Sequence, residues 1–268
     1  MVIGYSEPLM AVSENIVPAV VLTILAGLST GIGSAIAYLI RKPKIAYLCF
    51  SLGLSAGVMI YVSFMELLPG ALQRVGKFWG ITAFFLGIAV IGLIDMLTPG
   101  AKNPHNYRGL DAPTAAPQDN DLMRTGIMTA LAIGIHNFPE GVVTFASTLS
   151  DVRLGLFIAI AIAIHNIPEG IAVSVPIFYA TSNRNKAFLY SFLSGLSEPA
   201  GAVIAYLALL PFLTPVVLAA TLAFVAGVMI YISLDELLPM AHRYGYGHVV
   251  IWGVVLGMLI MAISLVLL

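Results

Sequence analysis

The chain has 268 residues, 60% of them hydrophobic and 9% charged, with a formal net charge of −1 and a mean hydropathy of +1.00. That composition excludes a soluble globular domain and defines a polytopic membrane protein. With no basic patch interleaved with aromatics, nucleic acid is excluded as a partner, and the single cysteine, Cys49, excludes an intramolecular disulfide or a cysteine-rich metal site.

Apolar stretches of about 20–26 residues, the length needed to span the hydrocarbon of a lipid bilayer, fall at roughly 16–40, 45–68, 78–97, 124–149, 153–180, 186–210, 213–238 and 247–268. The expected fold is an all-α polytopic membrane protein of eight transmembrane helices, one transporter domain over 1–268. Residues 1–15 carry Glu7 and Glu14 and no Lys or Arg, so the basic region of a cleaved signal peptide is missing and the first span is expected to be retained. An outside amino terminus puts Arg41, Lys42, Lys44, Lys102, Arg108, Arg124, Arg184, Lys186 and Arg243 in inner loops, against Arg74, Lys77 and Arg153 outside. That distribution obeys the positive-inside rule, and both termini are expected on the periplasmic side of the cell inner membrane. The segment at about 99–122, rich in Pro, Asn, Asp and Gly, reads as a flexible cytoplasmic loop whose lone His105 is solvated.

The fourth and fifth stretches carry the same motif, His136-Asn137-Phe138-Pro139-Glu140-Gly141 and His165-Asn166-Ile167-Pro168-Glu169-Gly170. In a helix His and Glu at i and i+4 stack on one face, and each proline, lacking an N–H, releases the carbonyl four residues back, that of Ile135 or Ile164. Ionisable residues inside a membrane are costly and mark ion or substrate paths. The 29-residue offset suits two antiparallel neighbours joined at Ser150-Asp151, so the two faces can meet in one site.

A second repeat flanks that pair. The stretch from Ser55 to Pro69 matches Val225 to Pro239 at eleven of fifteen positions, and Leu25 to Leu39 matches Leu193 to Leu207 at nine of fifteen. The chain reads as three helices, a central pair and the three helices again, a 3+2+3 arrangement. An odd number of spans separates the copies, so the second runs inverted through the membrane, a recurrent transporter architecture. One difference stands out: Thr30-Gly31 of the first copy is Glu198-Pro199 in the second, which adds Glu198 to the candidate ligands. Glu66, Glu236, Asp235, Asp95 and His242 read equally well as gate ligands or as interfacial groups, and the glycines Gly27, Gly31, Gly33, Gly195 and Gly201 as close-packing positions.

The paired HNFPEG and HNIPEG motifs, the Ser-Glu-Pro on the sixth helix and the eight-span layout resemble the ZIP (Zrt/Irt-like) divalent metal transporters, most closely their bacterial ZupT type. The resemblance covers essentially the whole chain. It implies a non-enzymatic transporter with no prosthetic group, taking Zn2+, and also Fe2+ and Mn2+, into the cytoplasm, and often a homodimer in the bilayer. It further implies a two-metal site on helices 4, 5 and 6. His136, Glu140, His165 and Glu169 would form one half, and Asn137, Glu140, Asn166, Glu169 and Glu198 the other, with both central glutamates bridging. Two imidazoles with two carboxylates suit zinc or ferrous iron, and amide and carboxylate oxygens suit manganese or ferrous iron. The alternative is a membrane redox protein. A di-iron site would use Glu-x-x-His, which does not occur here, and a bis-histidine haem on His136 and His165 would have no use for glutamates one turn away.

Overall fold

The structure, a computed structural model, describes residues 7–39, 44–97, 119–209 and 214–267. Most of the 99–122 loop, with His105, lies outside the described residues. Within hydrocarbon every backbone polar group must find an internal partner, which only helices or closed barrels provide, and each described apolar stretch is helical. We name the helices α1 (Glu7–Leu39), α2 (Ile45–Val75), α3 (Lys77–Leu97), α4 (Asp119–Ser150), α5 (Val152–Thr181), α6 (residues 184–209), α7 (Val216–His242) and α8 (Gly247–Leu267). Among the described residues six helices, all but α4 and α6, are long and apolar enough to cross a membrane. The motif in α4 lies among Thr, Ser and Gly rather than the Ile-Ala run that precedes it in α5, and α6 is interrupted at Leu196, just before Ser-Glu-Pro.

Local chemistry sets the turns. Asp151 follows α4 directly and caps α5, its carboxylate accepting from the backbone N–H of Arg153 at 2.7 Å and of Leu154 at 3.3 Å. This one-residue joint makes α4 and α5 an antiparallel hairpin. Asn183 and Thr214 cap α6 and α7 in the same way. The turns that end α2 and α7 each use a glycine at positive φ, Gly76 at 81° and Gly245 at 76°, a conformation closed to most side chains.

The packing reproduces the inverted repeat. Helix α1 packs on α5 as α6 packs on α4, α2 on α8 as α7 on α3, and α2 on α5 as α7 on α4. Glycines make the equivalence visible. A Cβ on Gly33 would strike the carbonyl of Ile167, and on its repeat-mate Gly201 that of Phe138. A Cβ on Gly170 would strike the carbonyl of Thr30, and on Gly141 that of Glu198. Each contact maps onto the other by the 168- and 29-residue offsets. Such backbone approach is how membrane helices gain dispersion without a hydrophobic drive.

Within α2 and α7 one turn is widened to π geometry, over Ser63–Leu67 and Ser233–Leu237, again at matching positions. Pro69 and Pro239 follow two residues later; a proline ring clashes with the carbonyl four residues before it, and the wider turn absorbs that clash. Two thirds of the apolar window of α5 and of α7 is buried, against 22% for α3 and α8. The motif helix α5 therefore runs through the interior, and α3 and α8 form the flanks, with Phe85, Trp79, Trp252 and Leu259 pointing outward.

Candidate metal centre

The motif residues meet where α4, α5 and α6 cross. Asn137, His165, Asn166, Glu169 and Glu198 have no exposed surface and Glu140 has 1%. The side chain of His136 lies outside what the structure describes, so the first imidazole has no observed position. The hairpin joint at Asp151 brings the two motifs side by side, and the interruption of α6 sets Glu198 in the first turn of the segment Ser197–Ile204, where the amino-terminal end of the helix dipole favours negative charge.

The donors come together in three pairs. Nε2 of His165 stands 3.3 Å from Oε2 of Glu140, while Nδ1 of the same ring lies 3.1 Å from the carbonyl oxygen of Ala161. The Ala161 carbonyl can only accept, so Nδ1 carries a proton, and whenever the ring is neutral its Nε2 lone pair faces the carboxylate. In that form two acceptors face one another, and a proton or a metal cation between them joins them. The second pair is Asn166 and Glu198: Nδ2 of the amide donates to Oε1 of the carboxylate and also to the carbonyl of Ala26, at 3.1 Å in the latter case. The amide is thereby turned so that its own oxygen, Oδ1, is left without a hydrogen-bond partner among the described residues. In the third pair the Ser55 hydroxyl of α2 donates to Oε1 of Glu169 at 3.1 Å.

Further polar atoms have no hydrogen-bond partner among the described residues: Oε1 of Glu140, Oε2 of Glu198 and both polar atoms of Asn137. Glu140 and Glu169 both lie within Coulombic range of Glu198. Among the described residues no Lys or Arg is buried, so these residues supply no fixed basic side chain to balance the three carboxylates. A buried charge is tolerated only when paired or bound to metal. Among the described residues no three His, Cys, Asp or Glu groups converge on one point; the pairs surround a common interior instead. A small cavity lined by Val62, Leu67, Val143, Ile158 and Met229 opens beside the Glu140 carboxylate, between the motif helices and α2 and α7.

The sequence reasoning missed Ser55. Its signal was present, because Ser55 is matched by Val225 in the otherwise well-kept second repeat, a polar-for-apolar difference of the same kind that exposed Glu198. Of the groups read as gate ligands or interfacial residues, Asp95 accepts from the Tyr231 hydroxyl at 3.2 Å, joining α3 to α7, and Nδ1 of His242 lies 2.8 Å from the carbonyl of Leu238.

Comparison with known proteins identifies the family. Residues 99–265 match the family model described as ZIP zinc transporter. A zinc transporter ZupT of Clostridium perfringens is 50% identical over 95% of this chain and 97% of its own length. The proteins of that name from Streptococcus mutans and Lysinibacillus sphaericus are 52% and 54% identical, over 95% of this chain and 99% and 98% of theirs. The chain belongs to the ZIP transporter family. Its named relatives are transporters, and the di-iron and haem readings are set aside on that ground.

Proposed function

We propose that the chain carries divalent metal cations, zinc foremost with ferrous iron and manganese also accepted, across the cell inner membrane into the cytoplasm. The observation that carries this reading is the burial of Glu140, Glu169 and Glu198 together with no buried Lys or Arg among the described residues. Such a cluster is stable when an entering cation completes its charge, and it does not hold that cation irreversibly, since its donors are imidazole, amide and carboxylate without thiolate.

In this reading His136, Glu140, His165 and Glu169 hold one ion, and Asn137, Glu140, Asn166, Glu169 and Glu198 hold a second. The 3.3 Å contact between His165 and Glu140 is replaced on loading by two bonds to metal of about 2.0–2.2 Å. The hydrogen bond from His165 to Ala161 fixes the ring so that Nε2 is the coordinating atom. The Ser55 hydroxyl donates to Oε1 of Glu169 and so orients this carboxylate for cargo. The cavity beside Glu140 provides the approach between α2, α7 and the motif helices. The whole chain acts as one transporter domain, with both termini periplasmic and with two copies paired in the bilayer.

Purified protein in proteoliposomes, given zinc, manganese or ferrous iron under imposed metal and proton gradients, tests the proposal. Saturable zinc accumulation that disappears with Glu169→Ala is the expected result; equal accumulation by that variant and its parent would overturn the site.

A further inference from the structure

Gly27 of α1 and Gly195 of α6 are the same position of the inverted repeat, and they touch. A Cβ on Gly27 would lie 2.7 Å from the Gly195 carbonyl oxygen, and one on Gly195 would lie 2.6 Å from that of Gly27. The pseudo-two-fold axis therefore passes between them. One turn further on, the repeat-mates Glu198 and Thr30 leave their helices in directions related by that axis. The Glu198 Cβ sits 3.3 Å from the Cβ position of Gly27, and the Thr30 Cβ 2.9 Å from that of Gly195. The same rotation carries Asn166 of α5 onto Asn137 of α4.

The hydrogen-bonded pair Asn166–Glu198 thus has a counterpart made of Asn137 and Thr30. All four side chains are fully buried. In the counterpart nothing is satisfied: Oγ1 of Thr30 and both Oδ1 and Nδ2 of Asn137 have no hydrogen-bond partner among the described residues. The reason is length. Threonine carries its oxygen directly on Cβ, two atoms short of a glutamate oxygen, so it does not reach the Asn137 amide as Glu198 reaches Asn166. Buried polar atoms are satisfied in nearly every native protein, by water if not by protein. Asn137 lies three residues before Glu140 on α4, and there a divalent ion or a water it retains would meet the need of these atoms for donors and acceptors together.

We infer that Thr30 is a further ligand-facing residue of the transport site, forming with Asn137 a neutral, oxygen-presenting two-fold counterpart of the Asn166–Glu198 pair that receives the cargo ion or one of its waters. This rests on the reading of Glu198 as a cargo ligand. The two halves then divide the work: the charged clamp gives affinity, and the neutral clamp lets the ion depart without dragging on a fourth carboxylate. A hydroxyl and an amide oxygen favour hard ions over zinc, so the Thr30 side bears more on manganese.

The test compares four reconstituted proteins: the parent, Glu198→Thr, the exchange Thr30→Glu/Glu198→Thr, and the near-isosteric Thr30→Val. Zinc and manganese uptake are measured in proteoliposomes, and manganese affinity by calorimetry in detergent. Glu198→Thr is expected to lose most manganese uptake, and the exchange to regain it, because it moves the carboxylate to the two-fold-related position without changing the composition. Thr30→Val is expected to weaken manganese binding about fivefold, the worth of one neutral polar contact, with zinc less affected. An exchange variant no better than Glu198→Thr, at equal expression and melting temperature, overturns the inference. If Glu198→Thr behaved as the parent, the reading of Glu198 itself would fail. Thr30→Val decides in that case too, and unchanged manganese affinity refutes a role for the Thr30 oxygen.

Discussion

His165 presents Nε2 to Oε2 of Glu140 at 3.3 Å, with its other nitrogen fixed at 3.1 Å from the Ala161 carbonyl. With Nδ1 carrying a proton, the Nε2 lone pair of the neutral ring faces the carboxylate, and in the proposed site this is where a cation is received. The carboxylate partner carries the first prediction.

Glu140→Gln keeps the shape of the side chain and removes its charge. Uptake of zinc and of manganese is expected to fall at least tenfold, since the residue is assigned to both ions. The metal-free variant should melt at a higher temperature than its parent, because a buried charge has been removed from beside two others. Uptake assays paired with a thermal melt in detergent check both halves; a lower melting temperature would contradict the uncompensated charge.

Glu198→Gln addresses selectivity. The two-imidazole, two-carboxylate half is left complete, whereas the oxygen-rich half loses its charged clamp. Zinc uptake is expected to persist at an appreciable fraction of the parent rate, and manganese and ferrous iron uptake to fall disproportionately. Competition assays at matched membrane expression measure the ratio, and an unchanged zinc-to-manganese ratio would count against the assignment.

Ser55→Ala removes the 3.1 Å hydrogen bond to Oε1 of Glu169 and leaves the ligands in place. Hydrogen bonds to charged groups are worth about 1.5–3 kcal/mol, but the freed oxygen can turn to other donors or to cargo. A loss of zinc affinity of roughly five- to tenfold is therefore expected, somewhat below what that range alone would give. Folding should be preserved, as judged by size-exclusion profile. Wild-type affinity in Ser55→Ala would reduce the hydroxyl to a packing contact.

Gly170→Ala tests the close approach of α1 and α5. The added methyl would overlap the Thr30 carbonyl, which is backbone and cannot swing away. The helices must separate, and a stability loss of about 2–4 kcal/mol, in the range of core disruption, is expected. Gly134→Ala is the matched control on α4: a Cβ there meets nothing within 4 Å, so its only effect should be a small gain in helix stability. Thermal melts of both variants decide; equal melting temperatures would refute the packing argument.

Much of this was legible from the residues because the constraints were repetitive. A hydropathy this high left helices as the simplest spanning structure. The offsets of 29, 168 and 170 residues then prescribed which helices had to be equivalent, and the glycine contacts of Gly33 with Ile167 and Gly201 with Phe138 fall on those offsets. The convergence of Asn166 with Glu198 and of His165 with Glu140 followed from motif and repeat together. The Ser55 hydroxyl did not, since a lone serine on an apolar helix carries no period and only its neighbour in space gives it a role. The interruption of α6 at Leu196 and the π turns were equally hidden, because they depend on how a proline ring and the carbonyls before it settle their clash.

Those widened turns have a consequence for how α2 and α7 are to be read. A π turn is in effect an α-helix with one residue inserted, so it shifts the angular phase of everything after it by about 100°. The stretches before Ser63 and Ser233 and those after Leu67 and Leu237 therefore obey two separate hydrophobic wheels, and no single stripe drawn along either helix describes both. Deleting one residue within either turn, such as Phe64 or Leu234, would restore a continuous helix while leaving composition and hydropathy nearly unchanged. Pro69 or Pro239 and the closing glycine turn beyond it would then keep their neighbours, whereas a deletion elsewhere in the helix would rotate them by about 100°. Frame, rather than chemistry, is what those five residues encode.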